Sequence, residues 1–337
     1  MPKILIIRLS SIGDIIQCMS TIGGIRRWAP SAEIHWIARS DMAQTLSVDS
    51  RINKVWAFDK SLGLKGLLAL ADQLRAERFD YIYDAHSNLR SNVLKLKLCY
   101  RLTHRPRLVV RAKERFHRFL LFKFRINRFK NWPFVGAESF RAPLRKWGIT
   151  DFEDDFSDWQ FPAEFSKKFG DICSGRTVTL VPSANWAMKR WPVSHWRSLV
   201  ELLSDCNFVI LAGPADTFCE EIRDVAPARV VNMAGKCSIM ESSYIVSRSK
   251  VVVSGDTGFM HSADQFGIPS IALMGPTAFG YPARATSHVM ELDMKCRPCT
   301  KDGRGECSQL TYQQCLADIT PQSVAQQIRE IIDDVLP

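Results

Sequence analysis

Residues 250–275, KVVVSGDTGFMHSADQFGIPSIALMG, decide the fold. Val251, Val252 and Val253 form the β-branched run that a short buried strand needs. Gly255 allows a tight exit, and Asp256 and Thr257 are helix N-cap residue types. The helix is predicted to run to about Phe266, with Gly267 as its stop and Pro269 opening the next strand. Such a helix start leaves N–H groups without intrahelical partners, under the positive end of the helix dipole. It is a seat for a phosphate. Gly258 lets backbone or ligand approach, and His261 lies about one turn in, on the same side. A well-capped but ordinary βαβ connection would use the same residues, so the remaining segments have to decide.

Residues 3–9, KILIIRL, are a near-continuous apolar run, as in a parallel strand buried on both faces. Ser10-Ser11-Ile12-Gly13-Asp14 is the turn. One helix is predicted from there, with Ile12, Ile15, Ile16, Met19, Ile22 and Ile25 on its apolar face and Gly23-Gly24 weakening its later part. Further strands are predicted at 32–38, 52–58 and 81–83, with a helix over 66–78. The fourth strand ends at Asp84-Ala85-His86-Ser87. Alternating strands and helices mean a parallel α/β sheet, whose ligands sit at the carboxyl ends of the strands. Ser10–Asp14 and Asp84–Ser87 both lie there. Asp14 has two compatible readings: the acidic half of an S-x-x-D capping box, or a general base. The helix dipole lowers a carboxylate pKa, which counts against basicity unless burial offsets it.

The acidic stretch 151–158 and Phe161-Pro162 suggest a linker, dividing the chain into domains 1–160 and 161–337. The second domain repeats the pattern. Strands are predicted at 177–181, 207–212 and 230–232, and helices at 192–203, 238–247 and 322–335. The loop 182–192, PSANWAMKRWP, holds Ser, Asn, Lys and Arg at a strand end, a set that can bind phosphates. Gly213-Pro214-Ala215-Asp216 follows the next strand.

With 46% hydrophobic and 24% charged residues the chain is globular, and it has no apolar run of membrane-spanning length. The N-terminus lacks a signal-peptide pattern, so a cytoplasmic location is expected. The net charge of +10 is local: residues 90–130 hold 14 Lys or Arg against one acid, Glu114. That patch calls for an anionic partner. Phenylalanines and leucines are interleaved with the charges, and 116–129 reads as a cationic amphipathic helix suited to an anionic membrane surface. Nucleic acid is the rival partner, but no helix-turn-helix, zinc-finger or RNP signature accompanies the patch. Of ten scattered cysteines, Cys296, Cys299, Cys307 and Cys315 cluster as C-x2-C-x7-C-x7-C. Four thiolates can bind zinc, although the two seven-residue gaps match no common zinc pattern.

Four motifs in order, IIRLSSIGD (6–14), DAHSNLRS (84–91), PSANWAMKRWP (182–192) and SGDTGFMHSA (254–263), followed by Met274-Gly275-Pro276-Thr277, resemble family 9 glycosyltransferases, the ADP-heptose lipopolysaccharide heptosyltransferases. The resemblance covers nearly the whole chain and extends to the cysteine cluster. It implies a GT-B fold, two Rossmann-like doubly wound domains facing across a cleft. It also implies inverting transfer of heptose from ADP-heptose to the lipopolysaccharide inner core by a peripheral enzyme of the inner membrane's cytoplasmic face. Carried over residue by residue, Asp14 is the base and Lys189 stabilises the departing diphosphate. Ser183, Asn185, Asp216, Asp256, Thr257, Gly258 and His261 bind the donor. The patch residues Arg90, Arg111, Lys113, Arg115 and Arg118 are assigned to the anionic acceptor and membrane. Lys189 and the 256–261 loop are expected to grip one diphosphate from opposite sides. No cofactor is required on this reading; divalent-cation stimulation and a structural zinc are compatible with it. The alternatives are the same fold with another donor or acceptor, and a nucleic-acid-binding α/β protein.

Overall fold

The computed structural model describes residues 1–99, 105–152 and 159–334. They form two compact units. The first comprises Met1–Arg115 and Ala137–Gln160. Its sheet has five parallel strands, β1 (Lys3–Ile7), β2 (Glu33–Arg39), β3 (Lys54–Phe58), β4 (Tyr81–Asp84) and β5 (Arg107–Val110), in the order β3-β2-β1-β4-β5. Ile4 through Ile7 are fully buried in the central strand; burying each such side chain stabilises by about 2 kcal/mol. The order reverses between β1 and β4, and the register sets Ile7 beside Asp84. The loops leaving these two strands therefore meet at the topological switch point.

The single helix expected after β1 is two, Ile12–Met19 and Ile22–Trp28. Ser20 and Thr21 break it: their hydroxyls turn back to the Gln17 and Cys18 carbonyls at 2.6 and 2.7 Å, competing with the helical ladder. Gly24 is there for close packing, since a Cβ at that position would lie 2.6 Å from the Asp151 carbonyl oxygen.

The second unit comprises Phe116–Gly136 and Phe161–Pro337. The early excursion differs from the single break at 160 expected from sequence. Its cause is the two-residue strand β6 (Phe134–Val135), which pairs in parallel with a far later strand of this unit, and a cluster in which Phe122, Phe129 and Phe134 close around Phe279 at 5.5–5.8 Å. The main sheet has six strands, β7 (Thr177–Val181), β8 (Asn207–Ile210), β9 (Val230–Asn232), β10 (Val251–Gly255), β11 (Ser270–Met274) and β13 (Ser287–Glu291); β12 (Phe279–Tyr281) is the partner of β6. The order β13-β11-β10-β7-β8-β9 reverses between β10 and β7, where Val253 sits beside Leu180. Residues 182–192 and the start of the Gly258–Phe266 helix thus leave the sheet side by side.

The cationic helix is shorter than expected, Arg115–Phe124. It stops because Arg125 takes a left-handed φ of 60°, which ends a helix of L-residues. The Arg125 guanidinium then donates to the Cys296 and Pro298 carbonyls at 3.2 and 2.6 Å.

Candidate functional site

In the first unit, Asp14 sits on the first turn of the Ile12–Met19 helix. Ser11 donates to its Oδ2 from both N–H and hydroxyl, at 3.4 and 2.8 Å, so the capping reading holds. Two arginines also converge on it: Arg8 Nη2 lies 2.5 Å from Oδ2, and Arg111 Nη1 lies 3.9 Å from Oδ1. Arg8 is the residue just past β1, and its Nη1 donates to the Ala85 carbonyl beyond β4 at 2.9 Å. The Arg111 guanidinium lies over the Phe140 ring, 3.7 Å from its centre, and donates to Ser139. Burial pushes the Asp14 carboxyl up, but Arg8, Arg111 and the Ser11 hydrogen bonds outweigh it and hold the group at about 2. Asp14 is therefore an anchored anion throughout the neutral range.

Neighbouring groups are fixed in other ways. Asp84 accepts from the backbone of His86 and Ser87 and from Ser91, and pairs with Lys95 at 2.7 Å. His86 is buried, and its Nδ1 has no hydrogen-bond partner. Burial first, then Arg8 and Lys113, bring its pKa down to about 4.

The assignment of Arg111 to a surface patch is corrected: it is 8% exposed and belongs to the Asp14 cluster. Arg90 and Arg115 are exposed, and Lys113 is half-buried. Arg118 is half-buried as well, over the Phe279 ring at 4.3 Å.

In the second unit, Lys189 closes the short turn Ala187–Lys189. Its ammonium lies 2.9 Å from Asp256 Oδ2. Thr277 donates to the same oxygen at 2.8 Å, and His261 Nε2 is 3.8 Å from Oδ1. Burial raises the Asp256 carboxyl, while Lys189, His261 and Thr277 together bring it below its ordinary value. Lys189 is thus seated on the Asp256 carboxylate itself, rather than across from the loop that carries it. Thr257 is the N-cap, accepting from Met260 N–H at 3.4 Å, and Gly258 opens the helix. Asp216 closes its own turn by accepting from Gly213 N–H at 2.9 Å and pairs with Arg190 at 3.3 Å. Ser183 is half-buried and Asn185 exposed on the same loop as Lys189.

Two glycines show how tightly this site is built. A Cβ at Gly280 would lie 2.8 Å from Asp256 Oδ1. One at Gly303, which has a φ of 95°, would lie 2.7 Å from the Lys189 side chain. The cysteine-bearing segment is fastened to the Lys189 loop and to the turn after β11 that carries Thr277: Arg297 donates to the Gly275 carbonyl at 2.7 Å, Cys299 N–H to that of Pro276 at 3.1 Å, and Gln313 to that of Ala187. All four cysteines are free thiols. Among the described residues, the group close enough to share a metal is Glu33, His35 and Glu77, not these sulfurs. There, ammonium groups already occupy the acids: Lys3 and Lys54 pair with Glu77 at 2.7 and 2.9 Å.

Arg8, Thr277, Gly280 and Gly303 received no role from sequence. Arg8 carried a signal, a charge ending an apolar strand; Thr277 stood inside a quoted motif. The glycines carried none.

The model of glycosyltransferase family 9 (heptosyltransferase) matches residues 67–312, most of the chain. The chain belongs to glycosyltransferase family 9. It is 25% identical over 289 residues to a lipopolysaccharide core heptosyltransferase, OpsX, of Haemophilus influenzae, covering 81% of this chain and 79% of that one. It is 24% identical to lipopolysaccharide heptosyltransferase 2 of Escherichia coli, covering 98% of each. The solved structure of the E. coli ADP-heptose lps heptosyltransferase II superposes with a TM-score of 0.74 at 22% identity, covering 98% of this chain and 99% of that one. The two parallel α/β units are thus those of a GT-B glycosyltransferase.

Proposed function

We propose that this family 9 glycosyltransferase transfers heptose from ADP-heptose to the lipopolysaccharide inner core with inversion. The observation that carries the reading is the lysine–carboxylate pair Lys189–Asp256, seated at a helix N-terminus where β7 and β10 end. An ammonium and a helix start offer a diphosphate leaving group what it needs, positive charge that is already oriented. The names of the relatives support the heptose donor and the lipopolysaccharide acceptor.

In the proposed reaction the acceptor hydroxyl oxygen attacks the anomeric carbon from the face opposite the diphosphate. The carbon–oxygen bond to the diphosphate breaks, and its electron pair leaves with ADP. Asp14 takes the hydroxyl proton. A carboxylate held at about 2 is a weak base, but the hydroxyl becomes strongly acidic as its oxygen bonds to the sugar. Proton transfer then follows bond formation, and Asp14 acts first as a hydrogen-bond acceptor that orients the nucleophile. Lys189 follows the growing charge on the leaving group. No metal is needed for these steps.

On this reading the enzyme works in the cytoplasm at the inner-membrane surface. No helix of the described residues is long and apolar enough to cross a membrane. The test is incubation of purified chain with ADP-heptose and a panel of truncated core acceptors, read by mass. One added heptose with ADP release supports the reading; transfer from another nucleotide sugar in preference would replace it.

A further inference from the structure

The Arg115–Phe124 helix has one face that the second unit covers and one that it does not. Leu121 is buried, Phe122 packs on Phe279 at 5.8 Å, and His117 meets Phe129 at 5.7 Å. The opposite face carries Phe116, Phe119 and Phe124, which are 68%, 55% and 56% exposed. Phe119 and Phe124 touch edge to face, with centroids 5.8 Å apart. Beyond the helix, Ile126 and Trp132 are 44% and 41% exposed. A row of large apolar side chains turned outward from a folded unit marks an interaction surface. Cations surround it: Arg115, Lys123, Arg128 and Lys130 are all exposed. Across residues 116–136 the sequence has no Asp or Glu at all.

We propose that this face, Phe116, Phe119 and Phe124 with Ile126 and Trp132, is a wedge that inserts into an anionic bilayer, its flanking cations resting on the headgroups. Aromatic side chains amid Lys and Arg suit the boundary between acyl chains and phosphates. The charge is complementary to anionic lipid, and an all-cationic rim repels a second copy of itself. The inference rests on the proposed lipid-anchored acceptor and deepens it: docking is assigned to the unit that holds Lys189 and Asp256, on residues outside that site. Arg111, which sequence had grouped with this patch, takes no part because it is buried beside Asp14.

The experiment is co-sedimentation of the full chain with phosphatidylcholine vesicles, with and without phosphatidylglycerol, across a salt series. Wild type is expected to bind the anionic vesicles at least ten times more tightly, with affinity falling as salt rises. The combined variant Phe116→Ser, Phe119→Ser, Phe124→Ser should lose at least tenfold at every salt concentration. The combined variant Lys123→Gln, Arg128→Gln, Lys130→Gln should lose binding mainly at low salt. A Phe119→Trp variant should be quenched by brominated acyl chains. All should keep wild-type transfer to a soluble truncated acceptor. If no protein transfers heptose to that acceptor, the functional reading fails while the vesicle result stands by itself. Equal binding to both vesicle types, unchanged binding by the triple serine variant, or absence of quenching would overturn the wedge. So would a wild-type dimer that the serine variant abolishes, since the face would then join two copies of the chain.

Discussion

Asp14 and Asp256 stand at equivalent places, each just beyond a strand bordering the switch point of its sheet, and their surroundings are built the opposite way round. In the proposed reaction the Asp14 carboxylate is the working group, and two guanidiniums restrain it, with Arg8 at 2.5 Å and Arg111 over the Phe140 ring. At Asp256 the proposal makes the carboxylate the restraint and the Lys189 ammonium, 2.9 Å away, the working group. Arginine suits the first task because its planar fork is fixed and always charged; lysine suits the second because its point charge can move with a phosphate. Both carboxylates titrate below their ordinary value, so a depressed pKa does not tell an active anion from a structural one.

The largest effect is expected at Asp14. Asp14→Asn should cut turnover by ~10²–10⁴, the range for removing a general acid–base group, with calorimetric ADP binding little changed. The melting temperature should fall as well, because Arg8 and Arg111 lose the anion between them; the carboxylate is about a third exposed, so solvent screens much of that loss. Turnover per folded molecule that survives in Asp14→Asn would reduce this residue to a helix cap and break the comparison.

At the other pole, Lys189→Ala should lower kcat by ~10²–10³ in steady-state kinetics, as when one electrostatic stabiliser is removed. Charge on the diphosphate grows towards the transition state, so the loss should fall on kcat more than on KM. Lys189→Arg should restore only part of it. Thr257→Val should instead raise donor KM and cost about 1 kcal/mol of stability through the lost cap. An unchanged kcat in Lys189→Ala would leave the helix start alone to stabilise the leaving group.

Gly303→Ala tests whether the restraint on Lys189 matters in itself. The new Cβ meets the lysine stem at 2.7 Å in a left-handed backbone, a strain of ~1–3 kcal/mol. A fall in kcat of about tenfold is expected, from a displacement of the ammonium by a fraction of an ångström. Loss of thermal stability alone, with kcat intact, would show that the brace is structural only.

Much of this was legible before any coordinates. β7 and β9 fall on their expected residues, and the Gly258–Phe266 helix ends where Gly267 takes a φ of 67°. Local signals suffice there: β-branched runs, a threonine cap, a glycine stop. What escaped depends on partners distant in sequence. The polar, flexible look of Arg111 concealed that Asp14 and Phe140 bury it. The excursion 116–136 is set by two residues of β6 pairing with β12, too short a strand to leave a periodicity. Edge strand β13 alternates only weakly between half-buried and exposed positions, and no strand was read there.

The smallest effect expected concerns His86, which acts on stability and shows what the Asp14 cluster imposes on its surroundings. Burial, Arg8 and Lys113 lower its pKa to about 4 from an ordinary 6.5, while Asp84 and Asp14 pull the other way more weakly. A depressed histidine stays neutral in the folded chain at pH values where it is already protonated in the unfolded one. Between about 6.5 and 4 the unfolded state therefore binds more protons, and stability falls as the pH drops through that window. The shift corresponds to ~3 kcal/mol as an upper limit. His86→Gln keeps a polar side chain of similar reach and removes the titration. Thermal melts across the window should show a shallower acid decline in the variant, with the two proteins diverging progressively below 6.5. Turnover near neutral pH should stay within a few-fold, because Asp14 and its arginines are untouched. Parallel curves would mean that His86 takes up its proton over the same pH range folded and unfolded, and hence that burial, Arg8 and Lys113 do not depress it.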